Sequence, residues 1–130
     1  PMPLAGGENM VTPAMFDAAL SDRALAVLQP DVTKWGGFSG GLPLARRIVA
    51  AGMRYCPHMF TGAPGVLASA HLLAAIDAPA GMLEYGIGPH PARDVLLDRS
   101  VEGGTLALGE APGLGLDVDV RRLAPHLTAL

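Results

Sequence analysis

Four side chains able to carry out acid–base or ligand chemistry recur along the chain at intervals of about 25 residues: Glu8, Asp31, His58 and Glu84. A carboxylate beside an imidazole fixes the ring tautomer and raises its basicity. Asp31 and His58 together would therefore make a general base. Three residues after Asp31 lies Lys34, the only lysine of the chain, whose ammonium group could stabilise an anion at the same place.

The two glutamates indicate different chemistry. Glu8 follows the pair Gly6-Gly7, which allows the backbone to turn sharply and to present a carboxylate at the end of a strand. There it could be an oxygen ligand of Mg²⁺, a hard cation that usually takes one or two carboxylates from a protein segment. Glu84 follows the apolar pair Met82-Leu83, so we expect it to be half-buried. A buried carboxyl group holds its proton and can donate a hydrogen bond.

A simpler interpretation stays open for each of these residues. Glu8 could be a solvated glutamate in a turn, and Glu84 could be a salt-bridge partner. Asp31 could accept backbone N–H groups in its own turn while His58 is only packed, and spacing alone favours a surface position for Lys34. No catalytic role is predicted for the remaining imidazole and thiol side chains: Cys56, His71, His90 and His126.

The elements that must position these residues are predicted from the same spacing. About 25 residues is close to the size of one strand–helix unit in a ~250-residue barrel of eight units. In such barrels the chemistry lies at the C-terminal ends of the strands. Buried strands are predicted over 3–9 and 25–28 and a third strand over 53–56, and helices begin at Thr12-Pro13, at 39–41 and at Pro64-Gly65. This alternation predicts an α/β fold with a parallel sheet and right-handed crossovers.

The pattern changes after Pro79. We predict a boundary near residues 79–92, which divides a barrel portion (1–80) from an appended segment (81–130). Four short elements are predicted in the second part: an extended segment over 82–85, strands over 105–108 and 114–118, and a last helix over 120–127 with Asp119 as its cap.

The composition limits the class of protein. Half of the residues are hydrophobic and 16% are charged, so a buried core is expected. A net charge of −3 gives no basic surface for nucleic acid. One cysteine cannot build a disulfide framework or a cysteine-rich zinc site, which fits a reducing compartment, and the cytoplasm is the expected location. No apolar run reaches the ~18 residues that indicate a membrane span.

Several segments resemble, in order, the C-terminal third of the enolase superfamily, in the mandelate-racemase-like branch of the mandelate racemase/muconate lactonizing enzyme family. The segments are Gly7-Glu8-Asn9, Pro30 to Gly37, Pro57-His58, Ala68 to Ala75 and Leu83-Glu84. The tail from Gly103 to Val118 is similar to the return of that family's chain into its capping domain.

The resemblance implies the last three strand–helix units of a TIM-type barrel and the C-terminal segment of a capping domain. It implies that Glu8 ends the sixth strand as a ligand of Mg²⁺ and that Asp31 and Lys34 follow the seventh. His58 would end the eighth strand and pair with Asp31 as one general acid/base. Glu84 would donate a hydrogen bond to the substrate carboxylate as it becomes an enediolate.

The implied activity is Mg²⁺-dependent removal of the α-proton of a hydroxy-carboxylate, with dehydration of an acid sugar as the favoured outcome. Racemisation or epimerisation of a 2-hydroxy acid would use the same residues, and a non-catalytic assembly or binding module is the alternative from another class. The expected partners are a small hydroxy-acid substrate, the missing N-terminal portion of the same protein and further copies in a homo-oligomer. The chain is expected to be an inactive part of a ~350–400-residue polypeptide of two domains.

Overall fold

An alternation of strands and helices makes up the first part of the molecule. The computed structural model describes residues 2–78, 80–116 and 118–127. The strands are β1 (Ala5–Gly6), β2 (Val27–Leu28) and β3 (Arg54–Tyr55), and the helices are α1 (Pro13–Asp22), α2 (Gly37–Ala50) and α3 (Ala63–Ala74). The predicted α/β order is confirmed.

The three strands form a parallel sheet in the order β1-β2-β3. Gly6 lies opposite Leu28, and Leu28 lies opposite Tyr55. Because the strands run in the same direction and in matched register, their C-terminal ends meet at one edge of the sheet. The sheet therefore brings the residues that follow each strand, among them Glu8, Asp31 and His58, to the same edge.

The helices begin close to where the sequence predicts. Thr12 caps α1 by accepting a hydrogen bond from the Met15 amide on its hydroxyl oxygen, as a capping threonine should. The helix α2 begins at Gly37 rather than at 39–41, so Pro43 lies inside it. Gly36 and Gly37 both have positive φ, 76° and 51°, a conformation that glycine adopts without steric cost. The chain can therefore turn into α2 directly after Trp35.

The core lies between the sheet and the helices. Its buried apolar side chains are Phe16, Leu28, Leu44, Ala45, Ile48, Met53 and Tyr55. The third helix is buried on most sides, as its apolar sequence predicts. The prediction that β1 is a buried strand is wrong for the chain as described, because Ala5 is exposed and Leu4 is 52% exposed. Among the described strands β1 pairs with β2 alone, so its other edge is unpaired in this part of the chain.

The second part of the chain is built from turns and short elements. A short helix α4 covers Pro91–Asp94, and an antiparallel hairpin joins β4 (Val101–Glu102) to β5 (Thr105–Leu106). The turn of the hairpin is Gly103-Gly104, with φ of 56° and 80°, which suits the two-residue turns that match strand twist.

Two of the four elements predicted in this part need correction. The strand predicted over 105–108 is present as β5 but is shorter, and the strand predicted over 114–118 is wrong for the described residues 114–116 and 118. Gly113 and Gly115 have positive φ there, which interrupts an extended backbone. The last helix is a 3₁₀ helix over Val120–His126, capped by Asp119 as predicted.

The segment over 82–85 has no regular secondary structure in the described chain. The boundary near 79–92 stays a prediction, and Pro79 and Asp117 lie outside the described residues. Within the residues that the structure describes, no helix is long and apolar enough to cross a membrane.

Candidate active site

An imidazole ring held between two carboxylates forms the centre of the site. His58 Nδ1 lies 3.0 Å from Asp31 Oδ2, and His58 Nε2 lies 2.7 Å from Glu8 Oε2. The side chain of His58 is 8% exposed. The close approach of Asp31 and His58 matches the prediction from the sequence, whereas the contact with Glu8 was not predicted. A doubly protonated ring can donate to both carboxylates at once, and a neutral ring to only one of them.

Asp31 is almost completely buried, at 1% exposure. Its Oδ1 accepts hydrogen bonds from the Thr33 amide at 2.8 Å and from the Thr33 hydroxyl at 2.6 Å. Its Oδ2 faces His58. Burial raises the pKa of the Asp31 carboxyl, but the hydrogen bonds from Thr33 and His58 outweigh it and hold that pKa below its ordinary value. One oxygen of Asp31 is thus bound in its own turn, and the other is presented to the imidazole.

The lowered pKa of Asp31 makes a prediction about acid stability. A carboxyl group whose pKa is lower in the folded protein stabilises it above the ordinary pKa, and this contribution is lost as the pH falls through the folded value. Thr33→Val removes the hydroxyl donor, so the pKa of Asp31 should rise and acid unfolding should begin at higher pH. We expect the free energy of unfolding near pH 7 to fall by about 1 kcal/mol, measured by chemical denaturation at several pH values.

The matched control is Thr33→Ser, which keeps the hydroxyl group and should unfold at the same pH as the unmodified protein. A valine variant with unchanged acid stability would show that the Thr33 hydroxyl does not hold Asp31 in its ionised form.

Lys34 lies at the rim of this site. Its Nζ donates to Asn9 Oδ1 at 3.0 Å and lies 3.9 Å from Asp31 Oδ2. The side chain is 35% exposed. The ammonium group therefore joins the residue after Glu8 to the turn that carries Asp31, and it is not a surface lysine without contacts.

Glu84 lies beside the end of β3 but is not joined to the histidine. Its amide donates to the Pro57 carbonyl at 3.2 Å, and its Oε2 lies 3.5 Å from Gln29 Nε2. The residue is half-buried, as predicted. In the described part of the chain no ion pair involves Glu84, which gives no support to the salt-bridge interpretation.

Sequence reasoning missed two residues of the site. Gln29, two residues before Asp31, reaches Glu84. The rings of Phe60 and His58 pack in a T-shaped arrangement, with ring centroids 5.0 Å apart and an interplanar angle of 73°. Phe60 is 56% exposed, so part of its ring is in contact with solvent. The available signal for Phe60 was its position two residues after His58 in a strand end, which places an aromatic ring near the imidazole.

The residues without a predicted role lie in varied surroundings. Cys56 is buried, and His126 is exposed in the 3₁₀ helix. His71 Nε2 and His90 Nδ1 are buried without a hydrogen-bond partner among the described residues. The absence of a catalytic role for these four residues stays a prediction.

A cation at this edge would find one carboxylate of this chain. Glu8 is 45% exposed, and its Oε1 accepts a hydrogen bond from the Asn9 amide group at 3.1 Å. A half-open carboxylate suits a hard cation such as Mg²⁺. Over residues 2–78, 80–116 and 118–127, no group of three His, Cys, Asp or Glu side chains is arranged to hold a metal ion. Glu8 therefore fits as one ligand of a set, and the described chain does not complete the set.

A comparison with known protein families assigns the chain to one of them. The chain belongs to the enolase C-terminal domain-like family, whose model matches residues 1–122. The resemblance drawn from the sequence motifs is confirmed.

Three individual proteins show which kinds of enzyme the chain is similar to. The chain is 32% identical to a D-galactonate dehydratase of Verminephrobacter eiseniae over 91% of its own length, and 28% identical to a D-galactarolactone cycloisomerase of Agrobacterium fabrum over 92%. A solved structure of a mandelate racemase/muconate lactonizing enzyme from Bordetella bronchiseptica is 49% identical over 98% of this chain, with a TM-score of 0.90. The chain spans 33%, 34% and 36% of these three proteins, about a third of their length.

Proposed function

We propose that the whole protein is a Mg²⁺-dependent acid-sugar dehydratase and that this chain supplies the acid–base side of its active site. The observation that carries the proposal is the nearly buried His58, whose Nδ1 is held by the ionised Asp31. A relative named D-galactonate dehydratase, matched over 91% of this chain, supports the substrate class.

His58 is the residue that moves protons in this proposal. Asp31 accepts a hydrogen bond from Nδ1–H, so Nε2 can take a proton from a substrate or return one to it. Dehydration breaks the α C–H bond and the C–O bond of the β-hydroxyl, and the C–H electron pair becomes a C=C bond. His58 acts as the base that takes the α-proton or as the acid that protonates the departing hydroxyl, which leaves as water. The enol that remains then becomes a ketone.

Glu8 is proposed as one ligand of Mg²⁺, with the other ligands outside this chain. The ion, when bound, supplies positive charge that stabilises the anion formed as the α-proton leaves. Glu8 also contacts Nε2 of His58 at 2.7 Å, so a substrate competes with Glu8 for this nitrogen.

Glu84 and Lys34 are proposed to bind the anionic substrate from the rim. Glu84, half-buried beside Gln29, would donate a hydrogen bond to the substrate carboxylate in its protonated form. Lys34 Nζ lies 3.9 Å from Asp31 Oδ2, where its positive charge offsets the negative charges of the site. The partly exposed Phe60 lies beside His58.

The remaining part of the barrel is the proposed partner of this chain. We infer that β1 to β3 are the last three strands of a TIM-type barrel, with residues 1–80 in the barrel and 81–130 in the exit and capping segment. The open edge of β1 and the exposed Leu4 and Val11 are surfaces that a preceding strand and helix would cover. The matched share of about a third of each relative supports this placement. A homo-oligomer of the complete polypeptide is part of the same proposal.

Cycloisomerisation is a second candidate, favoured by the relative named D-galactarolactone cycloisomerase. Racemisation or epimerisation of a 2-hydroxy acid would need the same proton transfer by His58. Product structure separates these reactions, because dehydration releases water and leaves a keto group whereas isomerisation conserves the mass of the substrate.

The test uses the complete polypeptide with a panel of aldonates, aldarates and their lactones in the presence of Mg²⁺. We expect a 2-keto-3-deoxy acid from at least one aldonate or aldarate, detected by carbonyl derivatisation and mass spectrometry. Activity should disappear with EDTA and return with Mg²⁺. Turnover that gives only isomers of equal mass would replace the dehydratase by the second candidate, and turnover unaffected by the chelator would remove the metal from the proposal.

A further inference from the structure

A buried arginine outside the acid–base centre organises the backbone that follows Glu84. Arg93 lies in α4 and is 5% exposed. Its Nη1 donates to the Gly86 carbonyl and its Nη2 to the Gly88 carbonyl, the latter at 2.6 Å. The guanidinium carbon lies 5.1 Å from the ring centroid of Tyr85. Three of the four residues directly after Glu84 therefore contact one side chain.

The guanidinium group is held in place by a carboxylate of its own helix. Asp94 Oδ1 lies 2.8 Å from Arg93 Nε, and Asp94 Oδ2 accepts the His90 amide at 2.8 Å. Burying a charged group is costly in free energy unless its hydrogen-bond donors are satisfied. Here the two terminal nitrogens of the Arg93 guanidinium group donate to two backbone carbonyls. A lysine could not span both, because its ammonium group is a single point charge.

The segment after Glu84 is confined from two sides. A Cβ atom on Gly86 would lie 3.2 Å from Arg93 Nη1 and 3.1 Å from Phe60 Cδ1, so the backbone passes close between these side chains. Phe60 in turn packs against His58 in a T-shaped arrangement. At the start of the segment, the Glu84 amide is fixed to the Pro57 carbonyl, next to His58.

We propose that Arg93 is a positioning residue that holds the backbone of 84–88 so that the Glu84 carboxylate faces the same edge as His58. This inference rests on the proposed role of Glu84 in substrate binding. Arg93 itself touches neither the substrate nor the acid–base pair. A displacement of a binding group by about 1 Å can lower a rate by roughly a hundredfold, which gives this positioning a measurable consequence.

The test is a double-mutant cycle in the complete polypeptide, with Arg93→Lys and Glu84→Gln made singly and together. Interacting residues give non-additive effects in such a cycle. We expect Arg93→Lys to lower kcat/KM by about tenfold in the unmodified background and by less than about twofold when Glu84 is already glutamine. Amide hydrogen exchange of residues 84–88 should also become faster in Arg93→Lys.

Arg99 provides the matched control. It also donates to backbone carbonyls, those of Ala107, Leu108 and Gly115, and pairs with the neighbouring Asp98. Arg99→Lys should lower thermal stability in the same way as Arg93→Lys but leave kcat/KM within about twofold. If Arg93→Lys does not fold, Gly86→Ala disturbs the same segment through the backbone and should give the same non-additivity with Glu84→Gln.

The outcomes separate the two proposals. Equal fold losses from Arg93→Lys in both backgrounds, no loss at all, or an equal loss from Arg99→Lys would each overturn the positioning role. If Glu84→Gln has no effect on kcat/KM, the proposed role of Glu84 in substrate binding fails. Faster exchange of 84–88 in Arg93→Lys would then support only the claim that Arg93 holds this backbone segment. Unchanged exchange of 84–88 would overturn that claim as well.

Discussion

His58→Asn in the complete polypeptide is expected to lower kcat by roughly 10²–10⁴-fold, the range over which a positioned acid or base accelerates proton transfer. Asparagine keeps a polar group near Asp31 and Glu8 but cannot exchange a proton near neutral pH. Exchange of the substrate α-proton with solvent deuterium should be lost on the face that His58 serves. The measurements are steady-state kinetics and NMR of the recovered substrate.

His126→Asn is the control for this variant. His126 is exposed in the 3₁₀ helix, so its replacement should leave both kcat and deuterium exchange unchanged. Full activity of His58→Asn would remove His58 from the reaction, and with it the central part of the proposed function.

Asp31→Asn is expected to have the second large effect, because it acts on both catalysis and stability. Asp31 accepts two bonds from Thr33 on one oxygen and faces His58 Nδ1 with the other. The asparagine amide has a single oxygen, so it cannot accept hydrogen bonds from both Thr33 and His58. Either one of these donors faces the NH₂ group, or the His58 ring takes the tautomer without a proton on Nδ1. We expect a loss of turnover of roughly a hundredfold or more and a fall of about 1–3 kcal/mol in the free energy of unfolding.

Asp17→Asn is the matched control, since Asp17 makes an exposed ion pair with Arg47 at 2.5 Å. Such a pair contributes at most about 1 kcal/mol, and Asp17 lies on α1, away from the strand ends. Normal kcat in Asp31→Asn together with normal stability would show that the imidazole does not depend on this carboxylate.

The order of elements and the edge where the site lies were predictable because both depend on local patterns. The periods of strands and helices depend on residues that are close together in the sequence, and so does the spacing of Glu8, Asp31 and His58. Parallel strands must then bring their C-terminal ends to the same edge of the sheet. The Glu8–His58 contact was not predictable, because it depends on side-chain directions at the ends of two strands that are not adjacent in the sheet.

Contacts from more distant parts of the chain were missed for a related reason. Gln29 and Glu84 are 55 residues apart, and Arg93 reaches Gly86 through an irregular segment with no periodic pattern. The strand predicted over 114–118 is wrong for the described residues, because Gly113 and Gly115 have positive φ values that are incompatible with a strand. The Gly103-Gly104 pair is a sequence signal of a hairpin turn.

The glycine-rich end of β1 has a consequence for how the chain tolerates insertions and deletions. A strand of Ala5 and Gly6, followed by Gly7, has almost no side-chain bulk to fix its alignment with β2, and alignment is weakly specified in such strands. Backbone bonds from Ala26 and Val27 to the Leu4 carbonyl set the alignment, and the pair of Glu8 with His58 completes it. Loss of one residue between Leu4 and Glu8 would shift the carboxylate by about 3.3 Å and turn it to the opposite face, which would separate it from the imidazole without unfolding the helices.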